Sequence, residues 1–523
     1  MENMNIQGTV PVYTQQVAAP APERKFSPRD FGFAAAAAVC GFMCIKLILA
    51  PMFTALDYCG ELTVGFGAFL TLIAMVLLDV LYLGKGHGKM HILRVVMCLV
   101  FAANTAISGN GGIKCLDTVF VVIVLMYDLF ACAGRKSGMS RFFPVDALSA
   151  LTIMPLSNLS AAPIAAKQYS SGKKSLKNAV LAIAGLAAAA VPTVIVTGLL
   201  SDADSRFSVI ISSIFDGFLS KAVIFVIQAA LGIPIGLWFF GALNSAREGI
   251  SSPDRDEELE KNFSLVRIAP STLCVFAVIP LCIVYVIFFF SQLSYNISAF
   301  NMILPAGAVS YSEYAREGFF ELCKVSVIDL CMIAAMRLFG RREDGTVTKG
   351  IRIMTAVLSV MTIGLIFTAM SKMMLYIAVY NLTRLRVYTS WFMVLLGMVF
   401  IVLCIWAAKP SLNIFKPLTA VFVVMFGLLS FGCVDTVITE YNTDKYLSGE
   451  LTSLDIRETA LLSSESANVM YKKADRFDDT DRQIIMTALK EKGEAALSDV
   501  RAASAADVEC AVHAAAIDKD TAG

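Results

Sequence analysis

The sequence has no excess of charge of either sign. Its 43 lysines and arginines are balanced by 42 acidic residues, which leaves a formal net charge of +1. A protein that binds nucleic acid is expected to carry a basic field, because contacts with phosphate supply much of the affinity. We therefore predict no nucleic-acid partner.

The sequence also lacks the ligand patterns of a metal or haem site. It has thirteen cysteines but no CxxC pair, and most of them fall inside or beside apolar runs, where cysteine acts as a small hydrophobe. The three histidines, His87, His91 and His513, stand near no cysteine or carboxylate cluster along the chain. His87 and His91 belong to the basic stretch GKGHGKMHILR, which is typical of a loop at a membrane face. The sequence thus predicts no metal and no cofactor.

Long apolar runs, in contrast, are abundant. The chain is 57% hydrophobic and only 16% charged, and its mean hydropathy is +0.70. These values are typical of a polytopic membrane protein, so we predict an all-α transmembrane helix bundle with the lipid bilayer as its partner. About eleven runs are long enough to cross a bilayer. They lie near 31–51, 62–83, 92–108, 115–133, 179–200, 221–242, 268–290, 316–337, 352–371, 389–408 and 415–436.

One of these runs, 92–108, is interrupted by polar residues. It contains Asn104 and ends in an Asn-Gly turn signal, so a re-entrant or half-buried helix is the alternative to a full span. The segment 134–178 is predicted to be a packed connector, with a helix in the membrane interface as the alternative.

Lysine and arginine are concentrated before the first predicted span and in the loops after the even-numbered ones. The positive-inside rule therefore places the N-terminus in the cytoplasm and, after eleven spans, the C-terminus outside. We divide the chain into a disordered cytoplasmic tail (1–30), a transmembrane helical domain (31–437) and a soluble helical C-terminal segment with a frayed end (438–523). In that segment, TDRQ at 480–483 matches a capping box that begins at Thr480, and three or four short helices are predicted. These helices offer a surface for protein partners.

The stretch SYSEYAREGFFELCK, residues 310–324, places five charges where a span begins. Charges inside a membrane are costly, so this helix is expected in the bundle interior with its polar stripe paired. Arg384 and Arg386 are level with Glu313 and Glu317, and we predict a pair between them; Lys46 is at the depth of Glu321. The candidate polar layer comprises Glu313, Arg316, Glu317, Glu321, Lys324, Arg384, Arg386, Asp435 and Lys46.

Three stretches contain most of this layer: YAREGFFEL at 314–322, TRLR with the aromatic residues after it at 383–392, and FGCVDTVITEYN at 431–442. In this order they resemble a family of bacterial multi-pass membrane proteins of unknown function, known by the domain numbers four-one-seven-three and the related four-one-five-three. The resemblance covers roughly residues 100–460. It implies a bacterial cytoplasmic membrane protein and carries no substrate, activity or cofactor.

The charged layer has several interpretations. The leading one is an integral membrane protein without assigned chemistry, with a binding, sensory or structural role, in which the outward charged layer organises the bundle. The alternative is a transporter or channel for a small solute or ion, because ionisable residues inside membranes often mark transport routes. An enzyme is less favoured, since the carboxylates have no accompanying nucleophile, metal cluster or Gly-rich phosphate loop.

Overall fold

The computed structural model describes residues 25–522 except for 54–61, 85–87, 135–138, 171–173, 216–217, 250–254, 301–310 and 344–345. Within these residues the protein is an all-α bundle, as predicted. A two-stranded hairpin accompanies the helices; its strands are β1 (Arg342–Glu343) and β2 (Thr346–Val347), paired antiparallel.

The first half of the chain contains ten helices. They are α1 (Pro28–Phe53), α2 (Phe66–Leu83), α3 (Lys89–Ile107), α4 (Gly111–Ala133), α5 (Phe143–Leu151), α6 (Ile153–Ser157), α7 (Ala161–Ser170), α8 (Lys174–Ala203), α9 (Ser205–Phe215) and α10 (Phe218–Glu248). Helices α1 and α10 cross closely: a β-carbon on Gly41 would lie 2.1 Å from the carbonyl oxygen of Gly232. Small residues therefore set the spacing of this pair.

The second half contains the remaining helices. They are α11 (Arg255–Val266), α12 (Ser271–Phe300), α13 (Tyr311–Phe339), α14 (Lys349–Tyr380), α15 (Arg384–Ala408), α16 (Phe415–Phe431), α17 (Val434–Leu447), α18 (Ile456–Leu461), α19 (Ser464–Lys472), α20 (Asp479–Ser498) and α21 (Ala505–Ala522). The capping box predicted from Thr480 is wrong. Asp478 is the N-cap of α20, and its side chain accepts a hydrogen bond of 2.8 Å from the Asp481 amide.

Eight described helices are long and apolar enough to cross a membrane, or up to ten if each of two bent pairs forms one span. All eight coincide with predicted spans, including the doubtful one, which is the 19-residue helix α3. The predicted span 415–436 corresponds to the bent pair α16 and α17, and the connector 134–178 contains the other bent pair. The eight fall three short of the predicted eleven, because the spans 179–200 and 316–337 are not among them and the span 415–436 is counted only as a bent pair. They lie in α8 and in the charge-bearing α13.

Two separate hydrophobic cores hold the membrane helices. The first bundle is built on residues of α1–α7, α10 and the end of α16 with α17, and the second on residues of α12–α15. Helix α15 joins them, because Val387 and Trp391 near its start pack on the first core while Phe400 and Trp406 lie in the second. The first bundle thus includes residues from both halves of the sequence.

The four helices α18–α21 pack against one end of the first bundle, which we call the C-terminal face. Here the Phe66 amide donates to the Ala503 carbonyl at 2.8 Å, and the Gly67 amide to the Arg501 carbonyl at 2.9 Å. The first amides of a helix have no partner within it, so these carbonyls satisfy the beginning of α2. A β-carbon on Gly65 would lie 2.0 Å from the Ala503 oxygen, which requires glycine at this contact.

Candidate functional site

The C-terminal face contains a buried ion pair from the predicted polar layer. Arg384, at the first position of α15, donates from Nε to Asp435 Oδ1 at 2.8 Å and from Nη2 to Asp435 Oδ2 at 2.7 Å. The Asp435 side chain is fully buried, whereas that of Arg384 is 22% exposed. Two parallel hydrogen bonds from one guanidinium make this a strong, oriented contact.

Further polar groups surround this pair. Asn110 Nδ2 donates to Asp435 Oδ2 at 2.8 Å and to the Tyr388 hydroxyl at 2.9 Å. The Arg384 guanidinium also donates to the Leu462 carbonyl, in the segment between α18 and α19. The pair therefore links the C-terminal helices to the start of α4, to α15 and to α17.

The other members of the predicted layer are dispersed. Arg386 donates to the carbonyls of Tyr380 and Asn381, and Lys46 Nζ lies 5.6 Å from the ring centre of Phe42. Glu321 Oε1 lies 4.0 Å from Lys324 Nζ, and both of these side chains of α13 are exposed. The side chains of Glu313, Arg316 and Glu317 lie outside the described residues, and so does the predicted pairing of Glu313 or Glu317 with Arg384 or Arg386.

A second charged contact on the C-terminal face was missed by sequence reasoning. Lys114 of α4 is 1% exposed, and its Nζ lies 3.5 Å from Asp507 Oδ2 in α21. Nearby, Glu465 accepts a hydrogen bond of 2.8 Å from the Gly109 amide. Burial raises the pKa of the Glu465 carboxyl, and this hydrogen bond lowers it by less. The lone lysine near the start of an apolar run was the signal available in the sequence, because such a charge requires a partner.

Between these contacts lies a cavity of about 60 Å³, lined in part by Lys114, Ser464, Lys492, Asp499 and Asp507. Sites for small-molecule ligands usually measure about 300–1,000 Å³. This cavity accommodates a few waters and is too small for an organic solute.

Deeper in the first bundle, a third polar group joins α3, α4 and α16. Asn104 Nδ2 donates to Asp117 Oδ2 at 2.7 Å, and the Ser430 hydroxyl donates to Asp117 Oδ1 at 2.6 Å. Asp117 is fully buried. Asn104, which weakened the predicted span, thus serves to bind the neighbouring helices together.

At the opposite end of α3 and α4, four side chains meet. Asp128 Oδ2 lies 2.6 Å from His91 Nδ1, and Asp128 Oδ1 accepts from Arg94 Nε at 2.5 Å. Cys132 Sγ is 3.8 Å from His91 Nδ1. The assignment of His91 to a basic loop is therefore wrong: it is 8% exposed in the first turn of α3. Antiparallel packing of α3 and α4 brings together residues that are far apart in sequence. His87 lies outside the described residues.

Asp79 of α2 lies beside this group. It is fully buried, and neither of its carboxylate oxygens has a hydrogen-bond donor among the described residues. It interacts electrostatically with Asp128, His91 and Arg94. The set can offer nitrogen, oxygen and sulfur ligands to a metal, since the ligand atoms of His91, Asp128 and Cys132 lie within 4.8 Å of one another.

Within the described residues, the second bundle holds a buried carboxylate of a different kind. Asp329 of α13 accepts from the Tyr285 hydroxyl at 2.7 Å and from the Thr362 hydroxyl at 2.7 Å. Each carboxylate oxygen thereby has a neutral donor.

A comparison with protein families shows to which family the chain belongs. The family model described as "Domain of unknown function (DUF4153)" matches residues 93–472. The chain belongs to this family. The resemblance read from the sequence is thus confirmed, with the second of the two domain numbers. Curated proteins and solved structures gave no match.

The DUF4153 match begins within α3 and ends with α19. It contains both residues of the pair Arg384–Asp435 and the group of Asn104, Asp117 and Ser430. Asp507 lies beyond it, so the Lys114 contact joins the family region to the helices that follow.

Proposed function

We propose that this DUF4153 protein is a bacterial cytoplasmic membrane protein with a binding or sensory role. In this proposal α18–α21 form the binding surface outside the cell, and the polar contacts of the C-terminal face transmit their state to the bundle. The observation that carries the proposal is the buried Lys114–Asp507 contact, because a membrane helix there depends on a charge from the C-terminal helices. Allosteric coupling requires such an energetic link between two sites.

Hydrogen exchange of the full chain in lipid nanodiscs tests the coupling. Asp507→Asn should speed exchange both at residues 499–507 and in the first turns of α2 and α4, because Lys114 loses its charge partner. The matched control is Glu509→Gln on the same helix, whose pair with Lys472 is exposed. Faster exchange confined to the C-terminal helices would contradict a sensory role.

The orientation has its own test. The proposal takes its orientation from the distribution of lysine and arginine, which predicts that the C-terminal face lies outside. Reporter fusions after residues 140, 255 and 345 should therefore report the cytoplasm, and a fusion at 470 the outside. A cytoplasmic signal at 470 would reverse the proposal.

A transporter or channel is the second candidate, and the group of His91, Arg94 and Asp128 favours it. Ionisable residues buried within membrane helices often belong to proton or ion routes. Purified protein in liposomes with a trapped pH-sensitive dye should then pass protons, and Asp128→Asn should abolish the flux. Equal proton entry with and without the protein would remove this candidate.

A further inference from the structure

We propose that His91, Asp128, Cys132 and Asp79 bind one divalent transition-metal ion of the zinc type in the first bundle. The four residues come from three helices, near the ends of α2, α3 and α4 opposite the C-terminal face. The ligand atoms of His91, Asp128 and Cys132 lie within 4.8 Å of one another, and Asp79 interacts electrostatically with Asp128 and His91. Zinc takes nitrogen, sulfur and carboxylate oxygen ligands, which are the donors assembled here.

The spacing of His91 Nδ1 from Cys132 Sγ and from Asp128 Oδ2 suits a tetrahedral ion. Bonds of about 2.0–2.3 Å place neighbouring ligand atoms about 3.3–3.8 Å apart. Cys132 Sγ and His91 Nδ1 are already 3.8 Å apart. His91 Nδ1 and Asp128 Oδ2 are 2.6 Å apart in their direct hydrogen bond. To bind one ion together, these two atoms would have to move apart by well under one ångström.

Asp79 is an independent indication of a ligand. A fully buried carboxylate without a donor is costly, and Asp79 is in addition close enough to Asp128 for the two charges to repel. A cation between them converts this repulsion into two attractions. It also supplies the missing partner of Asp79.

Charge balance leads to the same ion class. With Asp79 and Asp128 ionised, Arg94 positive and His91 neutral, the group carries one net negative charge. A divalent ion bound with the Cys132 thiolate brings the total to zero, which is the favourable state for a buried group. The competing occupant is a proton shared between the carboxylates of Asp79 and Asp128, which also gives a neutral group.

Arg94 has the role of an outer partner. Its Nε holds Asp128 Oδ1 at 2.5 Å, which leaves Oδ2 directed at His91. Outer partners of this kind orient metal ligands and contribute about 10–100-fold in affinity.

Elemental analysis of the full chain tests the site. The protein should be purified in detergent with a tag free of histidine, loaded with Zn²⁺ and dialysed. We expect one zinc per chain, and a loss of zinc affinity of about 100-fold or more in Asp79→Asn and in Cys132→Ser, since ligands matter at least as much as their outer partners.

Cys98→Ser is the matched control. Cys98 is a buried cysteine of α3 whose Sγ contacts the Val121 carbonyl, and its thiol is not among the four ligands. The zinc content of this variant should equal that of the wild type. Cobalt provides a readout independent of stability, because bound Co²⁺ should show a thiolate charge-transfer band that Cys132→Ser loses and Cys98→Ser retains.

Two outcomes would overturn the site. One is a zinc-loaded wild type that retains no metal after dialysis. This result would mean that the four side chains share a proton and bind no metal ion. The other is one zinc per chain that survives in the double variant Asp79→Asn with Cys132→Ser, which would place the metal elsewhere.

Discussion

The two bundles bury the same chemical group in different ways. Asp128 in the first bundle is held by Arg94 and His91, whereas Asp329 in the second is held by the hydroxyls of Tyr285 and Thr362. Both carboxylates are at most 1% exposed. Burial alone therefore does not define the state of a membrane carboxylate; its partners do.

This difference corresponds to a difference in location. The contacts of α18–α21 described above fall on the first bundle and on the beginning of α15. The first bundle thus combines charged groups at both of its ends with a docked helical segment. The second bundle also buries polar side chains, among them Thr355, Ser359 and Lys372 of α14.

Exchanging the two carboxylates for amides tests the comparison most strongly. Asp128→Asn removes the carboxylate that Arg94 and His91 contact directly and should lower the free energy of unfolding by about 3–5 kcal/mol. Asp329→Asn keeps an oxygen acceptor and should cost about 1 kcal/mol, because its donors are neutral hydroxyls and no counter-charge is left unpaired. Denaturant unfolding of the full chain in detergent measures both. Equal losses would show that the two sites do not differ in kind.

The next largest difference in the free energy of unfolding is expected between a buried and an exposed charge pair. Arg384→Gln removes the partner of the fully buried Asp435 and should cost about 2–3 kcal/mol, less than a fully buried pair because Arg384 is partly exposed. Lys324→Gln breaks the exposed pair with Glu321 and should cost under about 1 kcal/mol. The same unfolding measurement compares them. A large loss for Lys324 would indicate a buried role for the α13 stripe.

Glycine at the docking contact allows a local test. Gly65→Ala forces a β-carbon against the Ala503 carbonyl and should weaken docking by about 1–2 kcal/mol. Hydrogen exchange should rise at residues 499–507 and at the start of α2 but stay unchanged in α12 of the second bundle. Gly112→Ala is the control, since its nearest atom would be 3.5 Å away. A response in α12 would join the two bundles into one cooperative unit.

The pH dependence of docking should give the smallest effect. Because burial raises the pKa of Glu465, the folded state binds more protons than the unfolded state between pH 4.5 and the raised value. The contribution of Glu465 is therefore most favourable at low pH and declines as pH rises through this window. Hydrogen exchange of α19 at several pH values should follow this sign, and Glu465→Gln should remove its part of the slope. If the pH dependence of exchange is unchanged in that variant, it arises from another titratable side chain.

Much of this fold could be predicted from the sequence. Length and hydropathy are local properties, and they located the eight apolar helices, among them α3. The candidate site was less accessible, because its pairs are set by packing between distant helices. Arg384 and Asp435 were both in the predicted layer, but depth alone did not show that they pair with each other. His91 and Asp128 are 37 positions apart, and only the antiparallel arrangement of α3 and α4 joins them.

The bond between Asn104 and Ser430 has a consequence for biosynthesis. The two residues are 326 positions apart, so at about 5–20 residues per second the ribosome needs roughly 15–65 s to proceed from one to the other. During that time Asn104 and Asp117 are already in the membrane without Ser430, and the first bundle lacks Phe426, Leu429 and Ile438 from its core. The helices that are synthesised first are therefore among the last to complete their packing. A chain that ends before Phe426 lacks these core contacts.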